Sequence, residues 1–137
     1  MEILGHGVDL VEIARIERLL EEHGDRFIAR CFTEGERAYA EAGGGRRTER
    51  YAVRFAGKEA VLKVIGTGWA QGTKWTEISF AHEPGGRPTV EVSGTCADMA
   101  AARGITQWQV SFSHTSTLAI ASVIGVGGIP SAEMRIG

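Results

Sequence analysis

Glu59 and Lys63 lie one helical turn apart in the run Arg54-Phe55-Ala56-Gly57-Lys58-Glu59-Ala60-Val61-Leu62-Lys63-Val64-Ile65. Phe55, Ala56 and Leu62 flank them, and a carboxylate and an ammonium bordered by apolar side chains are what the wall of a cleft needs. On an exposed helix the same pair is an ordinary i,i+4 contact worth about 0.3–0.5 kcal/mol. The segment that follows argues for chemistry: Gly66-Thr67-Gly68 leaves backbone amides uncovered, as anion-cradling loops do, although it also serves as a plain helix stop. Asp9 ends a short apolar run and is either a turn residue for the next helix or a second carboxylate at a cleft mouth. Were Asp9 and Glu59 to converge, two hard oxygens would suit Mg²⁺, which takes one or two carboxylates plus substrate phosphates. His114 stands among hydroxyls in Ser111-Phe112-Ser113-His114-Thr115, a setting that fits a phosphate or a sugar as well as it fits solvent.

These groups require elements to hold them. Ile3 to Leu10 is expected to be a strand, with Gly5 and Gly7 admitting close approach of another backbone or a ligand. Ile13, Ile16, Leu19 and Leu20 recur at helical spacing up to Gly24, with Arg15, Arg18 and Glu22 on the opposite face. A second short helix covers Asp25 to Cys31, and Thr33-Glu34-Gly35-Glu36 is a capping box for a third that runs through Ala42. Gly43-Gly44-Gly45 then predicts a mobile loop on which Arg46 and Arg47 close over an anion.

The strongest helix runs from about Glu49 to Ile65, with Val53, Gly57, Ala60, Val61 and Val64 as its core stripe and Arg54 and Lys58 on a third face. Short strands are expected at Thr76 to His82 and Pro88 to Val92, around a turn at Pro84-Gly85-Gly86. A helix follows from Ala97 to Arg103, then a hairpin of Trp108 to Phe112 with Leu118 to Ile124. The fold class is α+β, a single domain over 1–125 in which an antiparallel sheet carries helices on one face, with a flexible tail over 126–137.

Composition narrows the partners. The 137 residues are 43% hydrophobic and 23% charged, with a net charge of -2, an ordinary globular balance lacking the basic excess of a nucleic-acid binder. Leu118 to Pro130 is too short and too interrupted to span a membrane, and no signal peptide opens the chain, so a soluble cytoplasmic protein is expected. Cys31 and Cys96 belong to no metal-binding spacing and read as buried thiols.

Taken together, Gly7-Val8-Asp9-Leu10-Val11-Glu12-Ile13 with Arg15-Ile16, the run Arg54 to Gly68, Gly86-Arg87-Pro88, and Val110-Ser111-Phe112-Ser113-His114-Thr115 resemble the holo-acyl-carrier-protein synthase family of 4′-phosphopantetheinyl transferases, over roughly residues 1–125. The resemblance implies transfer of the phosphopantetheine arm of coenzyme A to a serine of apo-acyl carrier protein, for fatty acid biosynthesis, by a homotrimer with active sites between subunits. It implies that Asp9 and Glu59 bind Mg²⁺, that Lys63 contacts the attacked phosphate, and that Glu59, Asp9 or a metal-bound water takes the serine proton. It implies that Gly66, Thr67 and Gly68 line the coenzyme site, while His114, Thr115, Arg54, Arg46 and Arg47 serve the adenosine end. Arg15, Arg18 and Arg26 would meet the acidic helix of the carrier protein. Two other readings use the same residues: a non-catalytic coenzyme- or nucleotide-binding trimer, and a metal-dependent nucleotide diphosphate hydrolase.

Overall fold

A computed structural model describes residues 1–66 and 72–128. Strand β1 (Glu2–Glu12) leads directly into helix α1 (Ile13–His23), followed by α2 (Asp25–Cys31) and α3 (Glu34–Glu41). A single 3₁₀ turn at Gly44–Arg46 then opens the long helix α4 (Arg47–Ile65). Beyond it come a 3₁₀ turn at Trp75–Glu77, the hairpin β2 (Ile78–His82) and β3 (Pro88–Val92), helix α5 (Gly94–Ala102), and the hairpin β4 (Ile105–His114) and β5 (Leu118–Gly127). The α+β class holds. β1, β5 and β4 form one antiparallel sheet in that order, and β2 and β3 form a second of two strands.

Helix α4 is the centre of the molecule. It lies across β1 and β5 and also touches α1, α3, α5, β2 and β4. Gly7 makes the approach possible: a Cβ there would run into the carbonyl of Ala60, so helix backbone and strand backbone meet directly. The inward residues of the sheet, among them Val11, Ala119, Ala121 and Val123, are buried against this helix. The outward face is different in kind, for Val8 and Leu10 of β1 are 47% and 54% exposed, beside the half-buried Ile120 and Ile124 of β5.

Arg54 and Lys58, expected on a face of their own, are inside the core. An amphipathic reading of α4 fails because the middle of the helix is covered nearly all round, and Arg54 and Lys58 are enclosed with it. Lys58 Nζ uses its donors on Glu36 Oε1 at 2.7 Å, the Ile78 carbonyl at 2.6 Å and the Trp75 carbonyl at 3.0 Å. Glu36 also accepts from the Thr33 amide, completing the capping box foreseen for α3, and from the Phe80 amide at 2.8 Å. One buried pair thus ties α3, α4 and β2 together, and removing either partner from such a pair costs about 3–5 kcal/mol.

Several boundaries move. The glycine run before α4 forms the 3₁₀ turn rather than a loop, and Arg47 belongs to the first turn of the helix. The first part of the expected strand at Thr76 is 3₁₀, closed by the Glu77 amide donating to the Lys74 carbonyl at 3.0 Å, and the strand begins at Ile78. β5 continues to Gly127, two residues past the boundary set at 125, since Val126 and Gly127 still pair with both β1 and β4. Residues 129–137 of the proposed tail lie outside the described residues. No helix among those described is long and apolar enough to cross a membrane.

Candidate active site

β1 delivers Asp9 to the flank of α4. The alternation that buries Gly7 and Val11 turns Asp9 inward too, and its Oδ1 lies 3.2 Å from Lys63 Nζ. The same ammonium donates to the Val8 carbonyl at 2.8 Å. Glu59 is one turn earlier on the same side of α4 and half buried. A rigid strand and a rigid helix therefore present a carboxylate and an ammonium in contact, with a second carboxylate adjoining. No cluster of three or more His, Cys, Asp or Glu capable of enclosing a metal exists among the described residues. Two carboxylates without a full cage match Mg²⁺, which retains waters and binds substrate phosphates, rather than a closed structural site.

At the other end of α4 a cleft of about 470 Å³ opens between α1, the start of α4 and the β4–β5 turn. His114 stands in its wall with Nε2 3.0 Å from Glu49 Oε2 and Nδ1 3.4 Å from the Thr115 carbonyl. Thr115 closes the turn, its Oγ1 accepting from the amides of Thr117 and Leu118. Glu17 and Thr48 complete the rim.

The arginines assigned to the adenosine end separate. Arg46 is exposed on the 3₁₀ turn. Arg47 is held at 2.8 Å by Glu41, which also accepts from the Tyr51 hydroxyl at 2.6 Å. The Arg47 hydrogen bond, then that of Tyr51, pull the Glu41 carboxyl below its ordinary range. Arg54 is only 2% exposed and sits against the ring of Tyr39, donating to the Arg50 carbonyl and facing His82 Nε2 at 3.1 Å. Its Nε has no hydrogen-bond partner, the one such buried side-chain atom among the described residues. Gly66 ends α4 in the left-handed conformation at φ 85°. Thr67 and Gly68 lie outside the described residues.

Arg15, Arg18 and Arg26 are all exposed on α1 and α2. Between these helices and Trp75 runs a groove of about 470 Å³ that the periodicity of α1 did not reveal. Its floor is Leu19, Phe27, Phe55 and Trp75, and Arg26 and Arg30 rim it. The Phe55 and Trp75 rings stack at 4.7 Å, and Arg15 reaches over Phe55 at 5.4 Å. In the sequence Phe55 is only an apolar neighbour of Glu59, and Trp75 carries no signal because its partners are remote in sequence. Cys31 lines the same groove as a neutral thiol, its pKa pushed by burial up to about 11.

A strand-borne aspartate against a Glu-Lys helix, on a three-stranded sheet with an added hairpin, defines a class that comparison with known proteins identifies. A sequence model of the 4′-phosphopantetheinyl transferase superfamily matches residues 5–122. The holo-[acyl-carrier-protein] synthase of Solibacter usitatus is 45% identical over 122 residues, which is 89% of this chain and 97% of that one. Among solved structures, holo-[acyl-carrier-protein] synthase from Neisseria meningitidis superposes with a TM-score of 0.82 at 29% identity, covering 91% of this chain and 99% of that one. The holo-(acyl-carrier-protein) synthase of Bacillus anthracis, in complex with CoA (3′,5′-ADP), gives 0.75 at 33% identity, over 92% and 98%. The chain belongs to the 4′-phosphopantetheinyl transferase superfamily, within its family of holo-[acyl-carrier-protein] synthases.

Proposed function

We propose that this chain transfers the 4′-phosphopantetheine arm of coenzyme A to a serine hydroxyl of apo-acyl carrier protein, releasing adenosine 3′,5′-bisphosphate, in the cytoplasm and in support of fatty acid biosynthesis. The observation that carries the reading is the contact of Asp9 with Lys63 beside Glu59, in a chain of this family. Displacement at phosphorus is chiefly positioning and charge neutralisation, so a fixed ammonium and fixed carboxylates supply what the reaction lacks in water. Lys63 neutralises a non-bridging oxygen of the phosphate under attack, and Asp9 holds the ammonium in place until the phosphate arrives. Glu59 takes the serine proton, directly or through a water. Asp9 and Glu59 are the residues that would hold Mg²⁺, which when bound would offset the charge that builds on the departing 5′-phosphate of adenosine bisphosphate.

His114, Thr115, Arg46, Arg47 and Arg54 serve the adenosine end. The unpartnered Nε of buried Arg54 supports an anion there, and Arg47 and His114 already hold carboxylates where a phosphate would go. Glu49, the partner of His114, and Lys63 are fourteen residues apart on α4, roughly 21 Å at 1.5 Å per residue. On the same reading the chain works as a homotrimer with active sites between subunits, in which His114 of one protomer serves the coenzyme held at Lys63 of its neighbour. The exposed Val8 and Leu10 offer the apolar face such an assembly would cover.

Arg15, Arg18 and Arg26 receive the acidic helix of the carrier protein along the apolar groove. The groove favours transfer over a hydrolase or a passive coenzyme binder, neither of which needs a docking surface for a helix. One experiment tests all three: the chain is incubated with apo-acyl carrier protein, coenzyme A and Mg²⁺, and the carrier is weighed. A mass gain of one phosphopantetheine is expected. Adenosine bisphosphate without that gain would mean hydrolysis, and no chemistry would mean a binding module.

A further inference from the structure

The last turn of a helix leaves carbonyls without intrahelical partners, and what satisfies them fixes how the chain leaves the helix. At the end of α4 the Leu62 carbonyl is taken by the Gly66 amide at 2.9 Å. The Ile65 carbonyl is taken from outside the helix by Arg103 Nη1 at 2.5 Å. Arg103 caps the C-terminus of α5, its own amide bonded to the Ala100 carbonyl at 3.1 Å. The guanidinium therefore bridges two helix ends and brings a positive charge to the negative pole of α4.

Gly66 is constrained twice at this point. Its φ of 85° belongs to the left-handed region, and the space a Cβ would occupy is filled by the Arg103 guanidinium. Left-handed backbone accounts for a glycine at many helix ends, but the second constraint is particular to Arg103. The peptide plane between Ile65 and Gly66 is gripped from α5, two residues after Lys63. No contact of Arg103 with Asp9, Glu59 or Lys63 is needed, because it acts on the backbone.

We propose that Arg103 is a positioning residue for coenzyme A: by holding the Ile65 carbonyl it sets the orientation of Gly66, which the family resemblance sets at the coenzyme site. The inference rests on that reading for the ligand, and on the hydrogen bond and the filled glycine for the residue. A purely architectural cap would change stability and leave the two substrates equally affected, which gives the test its contrast.

The full-length chain, Arg103→Ala and Arg103→Lys are compared by calorimetric titration with coenzyme A, by the KM for coenzyme A and for apo-acyl carrier protein, and by thermal melting. Arg103→Ala is expected to weaken coenzyme A about 3–10-fold in both Kd and KM, a part of what one charge-assisted hydrogen bond is worth. The KM for the carrier protein should stay within about twofold, and Arg103→Lys, whose ammonium reaches the same carbonyl, should recover most of the loss. If Arg103→Ala melts below the assay temperature, Arg103→Gln, which keeps a donor without the charge, is read in its place. Unchanged coenzyme A constants, or both KM values rising together without rescue by lysine, would overturn the proposal. Wild-type chain that binds coenzyme A without transferring it would defeat the transferase reading alone, and the binding comparison would still decide the role of Arg103. Wild-type chain that does not bind coenzyme A would defeat both.

Discussion

Lys63 reaches from α4 to two consecutive residues of β1, donating to the Val8 carbonyl at 2.8 Å and approaching Asp9 Oδ1 at 3.2 Å. The ammonium is held by strand groups on one side and stays half exposed on the other, so on the function proposed above it would meet an incoming phosphate already oriented. A lysine free in solvent would have to be ordered at the moment of reaction; this one is ordered beforehand.

Glu59→Gln should therefore retain the fold and lower kcat by roughly 10²–10³, the usual cost of removing one preorganised electrostatic group. The rate of holo-carrier formation by mass spectrometry checks this, with circular dichroism as the control for folding. Wild-type turnover would remove Glu59 from the mechanism.

Substituting Arg15 and Arg18 by alanine should raise the KM for apo-carrier protein and leave that for coenzyme A nearly unchanged. Arg15 is expected to be the more sensitive of the two, since its guanidinium packs over Phe55 at the groove while Arg18 stands in solvent. The effect should shrink as ionic strength rises, because exposed charges are screened over about 8–10 Å near physiological salt. Both KM values moving together would refute the docking role.

Leu10→Asp places a charge in the middle of the exposed apolar face of β1, more than half of that leucine being in contact with solvent in the single chain. Sedimentation should change from trimer to monomer, and holo-carrier formation should fall with it while the monomer stays folded. A trimer of unchanged mass would show that another surface holds the assembly.

Glu41 links stability to pH. Its carboxyl is depressed by the hydrogen bonds from Arg47 and Tyr51, from an ordinary value of 4.5. A depressed carboxylate adds stability that is complete above the unfolded pKa and is lost as pH falls through the folded one, where the native state must also take up the proton. Urea unfolding followed from pH 5 downward should show stability declining below about pH 4.5, with a shallower decline in Glu41→Gln. An unchanged slope would mean that the Glu41 pair does not contribute.

What could be foreseen from the sequence divides along a physical line. Local patterns were readable: the Thr33–Glu36 capping box appears as expected, and β1, α1, α2 and both hairpins lie within a few residues of their expected places. Long-range partners were not. Glu36 also neutralises Lys58, twenty-two residues later, and nothing in the spacing of α4 shows that a lysine may be wholly buried once such a partner exists. Arg54, expected on a third face of α4, is likewise found buried against Tyr39, whereas Arg47, expected on a loop, is found in the first turn of α4 paired to Glu41 only six residues earlier. Within the candidate site, Asp9 and Lys63 were singled out separately, and only the pairing of β1 with α4 shows them in contact.

The bond from Lys63 to the Val8 carbonyl has a further consequence. In the order β1, β5, β4 the first strand is an outer one, and an outer strand presents backbone groups that can recruit a strand from another molecule. Lys63 occupies one of them with a charged side chain, a usual guard against edge-to-edge aggregation. Neutral substitutions of Lys63 should then lower solubility as well as turnover, and light scattering at increasing concentration would separate the two losses.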